Sequence, residues 1–206
     1  MSHRRTSDPD NDAVPLQSVL DHSLVTNPSE ASYMQTLLGA AIASVEEFIE
    51  RSLITQTWEL KLDSWEDARY TRLVELSGGC ERAIIVPRPP LLAVSSIQYI
   101  DSDGNTQTLA ASKYDVDTAS HPGRITLAVN QSWPSLRDVP NAVTITHTAG
   151  YGTLASSIPE PIRLAIRMLV AHWYYMREPV LTGTISKEVE LGFRSILSPY
   201  MEAVVA

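Results

Sequence analysis

The chain has one cysteine, Cys80, among its 206 residues, so no intrachain disulfide can form. That suits a reducing compartment or indifference to redox state, and it excludes the disulfide-stapled scaffolds. No run approaches the roughly 20 apolar residues of a membrane-spanning helix. Arg4 and Arg5 near the start are not followed by the apolar stretch of a secretory signal, so neither export nor a membrane is expected. Positive charge is scarce as well. The 16 Lys and Arg stand against 24 Asp and Glu, a formal net charge of -8. A free-standing grip on nucleic acid needs a concentrated basic face, and there is no helix-turn-helix signature to offer instead. The usual chemical motifs are also missing: no G-x-S-x-G elbow, no P-loop, no dinucleotide glycine pattern and no H-E-x-x-H. The five histidines, His3, His22, His121, His147 and His172, are not at metal-ligand spacing with one another, and no cofactor is implied.

What is present is 44% apolar content, enough for one compact domain or for two small units sharing a core. Residues 1–13 are polar, carry three aspartates and are expected to form a mobile tail. Pro15 opens a short helix with Leu16, Val19 and Leu20 on one side. A longer helix follows, signalled by Asn27 as N-cap, Pro28 in the first turn and Glu30 reaching back. Its stripe is Met34, Leu38, Ile42, Val45 and Ile49, flanked by Tyr33, Leu37 and Ala41, with Glu46, Glu47 and Glu50 opposite. The period then changes. Alternating segments at 54–62, 83–86, 96–100, 114–117, 124–129 and 142–148 read as strands. Turn signals separate them at Ser77-Gly78-Gly79, Asp103-Gly104-Asn105 and Pro122-Gly123. The stretch from Leu62 to Arg72 fits neither period.

Helical spacing returns after Ala149-Gly150-Tyr151-Gly152 and Ile158-Pro159-Glu160-Pro161. The two glycines allow positive φ, and the prolines sit where a helix start has no N–H bonds to lose. Ile162, Ile166, Leu169, Val170 and Trp173 form a broad apolar stripe that Pro179 ends. A loop over 180–187 leads to a last helix from about Glu188, carrying Val189, Phe193, Ile196, Leu197 and Tyr200. The expected fold class is α+β: a bundle of about four helices with one small antiparallel sheet unit inserted. The expected segments are a tail at 1–13, helices at 14–52, the β unit at 53–149 and closing helices with a tail at 150–206.

Candidate chemistry is thin. Asp101-x-Asp103-Gly104 lacks the later oxygen ligands of a calcium loop and reads as a hairpin turn. Asp115 and Asp117 share a strand face, and a small hydrolase using them with His147 is the enzymatic alternative. It requires three unconnected residues to converge. His147 and His172 are expected as hydrogen-bonded core or interface histidines.

In order and spacing the chain resembles the head-tail connector, or adaptor, proteins of tailed bacteriophages and gene-transfer agents. The resemblance covers roughly residues 30–201. It is carried by Leu37-Leu38-Gly39-Ala40-Ala41, Ile54-Thr55-Gln56-Thr57-Trp58, Val86-Pro87-Arg88-Pro89-Pro90-Leu91 and Tyr114-Asp115-Val116. Further pieces are Trp133-Pro134, Ala149-Gly150-Tyr151-Gly152, Ile158-Pro159, Ala171-His172-Trp173-Tyr174, Arg177-Glu178 and Leu197-Ser198-Pro199-Tyr200. The resemblance implies a non-enzymatic structural protein of the virion, made in the host bacterial cytoplasm and sited at the head-tail junction. Similar proteins form a ring, usually dodecameric, beneath the portal protein. They join it to a stopper or tail-completion protein, and DNA passes through the channel during packaging and ejection without specific binding. On that footing the expected interface residues are Arg163, Arg167, Arg177, Lys187, Tyr200, Val204 and Val205, together with the 180–187 loop. Another connector or stopper role is the nearest alternative.

Overall fold

The computed structural model describes residues 3–7, 9, 12–67, 70–76, 79–176 and 192–201, with side chains apart from those of 73–76 and 79–81. The chain divides into two units, one of Met1–Asp8 with Thr55–Gly150 and the other of Pro9–Ile54 with Tyr151–Ala206.

The second unit is helical. Its elements are α1 (Leu16–His22), α2 (Ala31–Ile49), α3 (Glu160–Tyr175) and α4 (192–197), so four helices are present among the described residues. α2 packs on α3, and α1 packs on both. Met34, Leu38, Ala41, Val45 and Ile49 of α2 are buried against Val19, Ile162, Ala165, Ile166, Val170 and Leu197. This is the spacing read from the sequence, shifted slightly: Ala41 is in the core and Ile42 only half-buried. Asn27 caps as expected, its side chain accepting the Ser29 N–H at 3.1 Å, but the turn it caps is the 3-10 segment Pro28–Glu30 ahead of α2. Glu30 meanwhile accepts the hydroxyl of Tyr174 on α3.

At the C-terminal end of α2 the chain turns through Glu50 in the left-handed region (φ 54°). The buried Glu46 carboxylate accepts the Leu53 N–H at 2.8 Å, and the Leu53 carbonyl accepts the Tyr151 N–H at 2.9 Å. Ile54 and Gly152 then form a parallel bridge. The chain therefore leaves the helical unit and re-enters it through neighbouring positions. Gly152, at φ 152°, is required there: a Cβ would sit 2.6 Å from Ser157 Oγ.

The first unit is built of strands, all paired antiparallel. They are β1 (His3–Arg5), β2 (Gln56–Leu62), β3 (Thr71–Leu76), β4 (Gly79–Val86) and β5 (Leu91–Ile100). After these come β6 (Thr106–Thr108), β7 (Tyr114–Asp117), β8 (Gly123–Leu127) and β9 (Val143–Ala149). They form two sheets, ordered β1-β2-β9-β5-β6 and β3-β4-β8-β7, where the sequence suggested a single small sheet. The difference begins at β3, which follows a charged and ambiguous stretch and is specified by its pairing with β4, Thr71 opposite Ile84 and Leu76 opposite Gly79. One apolar cluster draws on both sheets: Leu60 and Leu62, Ile84 and Val86, Ile97, Ile125, Val143 and Ile145. These residues alternate along their strands, as a sheet with one face in a core demands. Trp65 joins them, stacked on Trp133 with ring centroids 4.5 Å apart. His3–Arg5, polar and expected within a tail, is instead a strand on the edge of β2. Composition could not show this, because the stabilising partners lie in β2.

Candidate assembly surfaces

In the first turn of α3, Glu160 sits where a carboxylate favours the positive end of the helix dipole. Arg163 and Arg167, one and two turns on, both close on that carboxylate. Arg167 also reaches Ser18 Oγ of α1 at 3.4 Å. The hydrogen bond from Arg167, aided by the charges of Arg163 and Arg167, holds the Glu160 carboxyl below its ordinary range. The two arginine side chains are only 24% and 15% exposed, whereas Glu160 is 56% exposed. A neighbour approaching here meets a carboxylate backed by two guanidinium groups, not two outward cations.

Arg51 follows α2 and anchors the far end of the unit. Its Nε donates to the Tyr200 carbonyl at 2.6 Å, and its Nη1 to the Tyr151 hydroxyl at 3.4 Å. Burial raises the pKa of Tyr151, so its hydroxyl stays neutral beside the guanidinium. Tyr200 itself is half-buried at the end of the 3-10 segment Ser198–Tyr200, packed on the helical core. Arg177, Lys187, Val204, Val205 and the 180–187 loop lie outside the described residues. Arg51 is invisible as an anchor in the sequence, for a single arginine after a helix carries no signal until its partners in remote segments are known.

The C-terminal end of α3 forms an aromatic edge. Tyr33 and Tyr174 have ring centroids 6.5 Å apart, and Tyr174 meets Tyr175 edge-on at 5.2 Å. The Tyr175 hydroxyl donates to the Ser23 carbonyl at 2.6 Å, beside Leu24. Leu24 is 83% exposed and Tyr175 62%, with Met176 next in line. Amphipathic rings presented this way are what protein interfaces select.

The hydrolase alternative does not assemble. Asp115 and Asp117 lie on β7 in the four-stranded sheet, while His147 lies on β9 in the five-stranded one. Asp117 is occupied by the Ala119 and Ser120 N–H groups, the Ser120 hydroxyl and Arg124 Nε, and the Ser120 hydroxyl foremost holds its pKa down at about 2. His147 is fully buried, and neither of its ring nitrogens makes an aligned hydrogen bond. This departs from the hydrogen-bonded histidine that the sequence suggests. Instead His147 stacks on His3, a residue remote from it in the chain. A histidine bonded to neither carboxylate cannot serve as their catalytic partner. Asp101 does close the β5–β6 hairpin, accepting the Asp103 and Asn105 N–H groups around Gly104. Among the described residues there is no cluster of three or more metal-ligating side chains, and no helix long and apolar enough to cross a membrane.

The fold has close counterparts. A chain from the neck of an empty gene transfer agent particle, computed with C6 symmetry, is 21% identical, with 100% of this chain and 98% of that chain covered and a TM-score of 0.76. A chain of the native gene transfer agent virion is 20% identical, with the same coverage and TM-score. One from the native neck computed with C12 symmetry is 21% identical over the same extent, with a TM-score of 0.71. No sequence among curated proteins matches significantly. The family described as head completion protein matches residues 17–186, which takes in most of the helical unit and nearly all of the sheet unit between its halves. The chain belongs to the head completion protein family.

Proposed function

We propose that this chain is a structural adaptor of the head-tail junction: a ring of copies beneath the portal protein that joins it to a stopper or tail-completion protein. The family match over residues 17–186 carries this reading. The neck origin of the similar folds supports it, and the C12 symmetry of one of those necks favours a dodecameric ring. The role is not enzymatic. The helices of 14–52 and 150–206 act as a bundle interrupted by the sheet unit of 53–149. The chain is made in the host bacterial cytoplasm and works in the virion. DNA passes through the ring without specific contact. Each copy brings a formal charge of -8, and a ring of such charges favours sliding over sticking.

The joint is formed by Arg163, Arg167, Arg177, Lys187, Tyr200, Val204 and Val205, with the edge of Leu24, Tyr33 and Tyr175 as a further candidate. Charge-assisted contacts set its register while the aromatic edge supplies buried area.

The test is the solution mass of the purified chain, alone and mixed with portal rings. A 22.7 kDa monomer that is drawn into a multi-subunit complex by the portal supports an adaptor that assembles on docking. A ring formed alone supports a preformed joint. A monomer indifferent to portal rings rejects the proposal.

A further inference from the structure

His3 of β1 stacks on aromatic groups of two strands of the same sheet. Its ring is stacked on Trp58 of β2 at 4.5 Å and 12°, and on His147 of β9 at 5.5 Å and 9°. A cation is close by: the Arg88 guanidinium lies over the Trp58 ring, 5.4 Å from its centroid. His3 Nε2 and both nitrogens of His147 are buried without an aligned hydrogen bond.

Among the described residues of β1, β2 and β9, no carboxylate shares the face of this stack. From β1 the same face carries Arg5, which donates to Gln56 Oε1 at 3.3 Å. From β2 it carries Trp58 with Gln56 and Leu60, and from β9 His147 with Ile145 and Ala149. Val94 of β5, beside His147 in the ladder, is uncharged. Glu59 alternates to the opposite face and is paired there with Arg4 at 3.1 Å. The carbonyls of Ile145 and Pro87 lie near enough to His147 to favour its charged form slightly, but burial outweighs them. A proton on either imidazole therefore meets burial first, and one on His3 meets His147 and the Arg88 guanidinium as well.

We propose that the stack of His3, Trp58 and His147 is a proton-operated latch, which holds strand β1 on the edge of β2 near neutral pH and releases it in acid. Both rings must be neutral for β1 to dock, because docking buries them against each other and sets His3 near a cation. Release uncovers the backbone N–H and C=O groups of β2 at Thr57 and Glu59, an edge open to strand addition.

The sign follows from the two states of the strand. Docked, His3 is lowered to about 3, first by burial and then by His147 and Arg88. Detached, it regains its ordinary value of 6.5. Between these values the detached strand binds a proton that the docked one refuses, so docking is fully stable above 6.5 and weakens as pH falls towards 3. His147, lowered to about 4 chiefly by burial, acts in the same direction as its cover leaves. His3 alone raises the detached-to-docked ratio on the order of 20-fold between about pH 7 and about pH 5.

The experiment is amide hydrogen exchange on the untagged full chain at these two pH values, corrected for intrinsic exchange rates. The Thr6 N–H, bonded to the Thr57 carbonyl at 2.9 Å, reports β1, and the amides of β9 report the sheet behind it. Protection at Thr6 is expected to fall on the order of 20-fold in acid while β9 stays protected. His3→Phe keeps a stacking ring without a titrating group and should remove most of the acid loss, leaving the smaller part that His147 contributes. Equal wild-type protection of Thr6 at both pH values, its absence at pH 7, or an acid loss in H3F as large as in wild type would each overturn the latch.

Discussion

The guanidinium of Arg51 ties the end of α2 to the carbonyl of Tyr200, 149 positions later in the chain, at 2.6 Å. The same group reaches Tyr151 in the turn that re-enters the helical unit. One side chain thus joins the three segments that close this unit: the end of its second helix, the returning turn and the last described stretch before the chain end.

Removing that tie should be felt in stability. Arg51→Ala is expected to lower unfolding stability by about 1–3 kcal/mol, as for other charge-assisted hydrogen bonds. Arg51→Lys should recover little, because one ammonium cannot serve two acceptors held in the plane of a guanidinium fork. Urea midpoints at a fixed slope decide it, and an unchanged R51A midpoint would contradict the anchoring role.

Gly152 offers a steric test. Its φ is 152°, and a methyl group on its Cα would come within 2.6 Å of Ser157 Oγ, so Gly152→Ala should cost about 1–3 kcal/mol. Pairing it with Ser157→Gly relieves the collision but not the backbone strain, so thermal melting should show partial recovery. Full recovery or none would refute this division.

In the helical core, Leu38→Ala removes a fully buried side chain between α2 and its neighbours. The expected loss is about 2–5 kcal/mol, the range for such cavities. Chemical denaturation of the purified chain provides the number. A loss under about 1 kcal/mol would mean that the site collapses onto the missing atoms.

Reversing Arg163 and Arg167 to glutamate separates assembly from folding. Glu160 is more than half exposed, which limits what its ion pairs add, while the arginines are only 24% and 15% exposed, so the variant should lose some stability but keep its fold. Three carboxylates would then stand together on α3, and a surface suited to meeting a neighbour should fail. Sedimentation with portal rings reports assembly and circular dichroism reports the fold. Normal complexes from this variant would remove the α3 start from the interface.

Asp117 gives a pH signature. Its carboxyl is held at about 2 by the Ser120 hydroxyl first, with further help from Arg124 and two backbone N–H groups. A lowered carboxyl pKa contributes stability that is complete above the ordinary 3.8 and lost as pH falls towards 2. Asp117→Asn should therefore unfold with a shallower acid dependence over that window than wild type. Parallel acid dependences would show that the loop 117–120 does not depend on the charge.

Periodicity by itself decided much of this molecule. The 3.6-residue spacing of Met34, Leu38, Val45 and Ile49 specifies a helix and the face it buries, because side chains a turn apart necessarily share a side. Alternation did the same for β2, β7 and β9, and the Asp-Gly turn for the β5–β6 hairpin. The order and spacing of these pieces also carried the resemblance that the family match supports. Tertiary structure alone decided which distant segments meet. β1 exists because β2 offers its edge, β3 because β4 pairs with it, and the single expected sheet became two through that pairing. Arg163 and Arg167 turned inward to Glu160 because one carboxylate lies within reach of both. Arg51 gained its partners, and His147 lost the hydrogen bonds expected of it, for the same reason. A side chain's sequence neighbours fix its local geometry, but its electrostatic surroundings are supplied by residues that the fold brings from elsewhere.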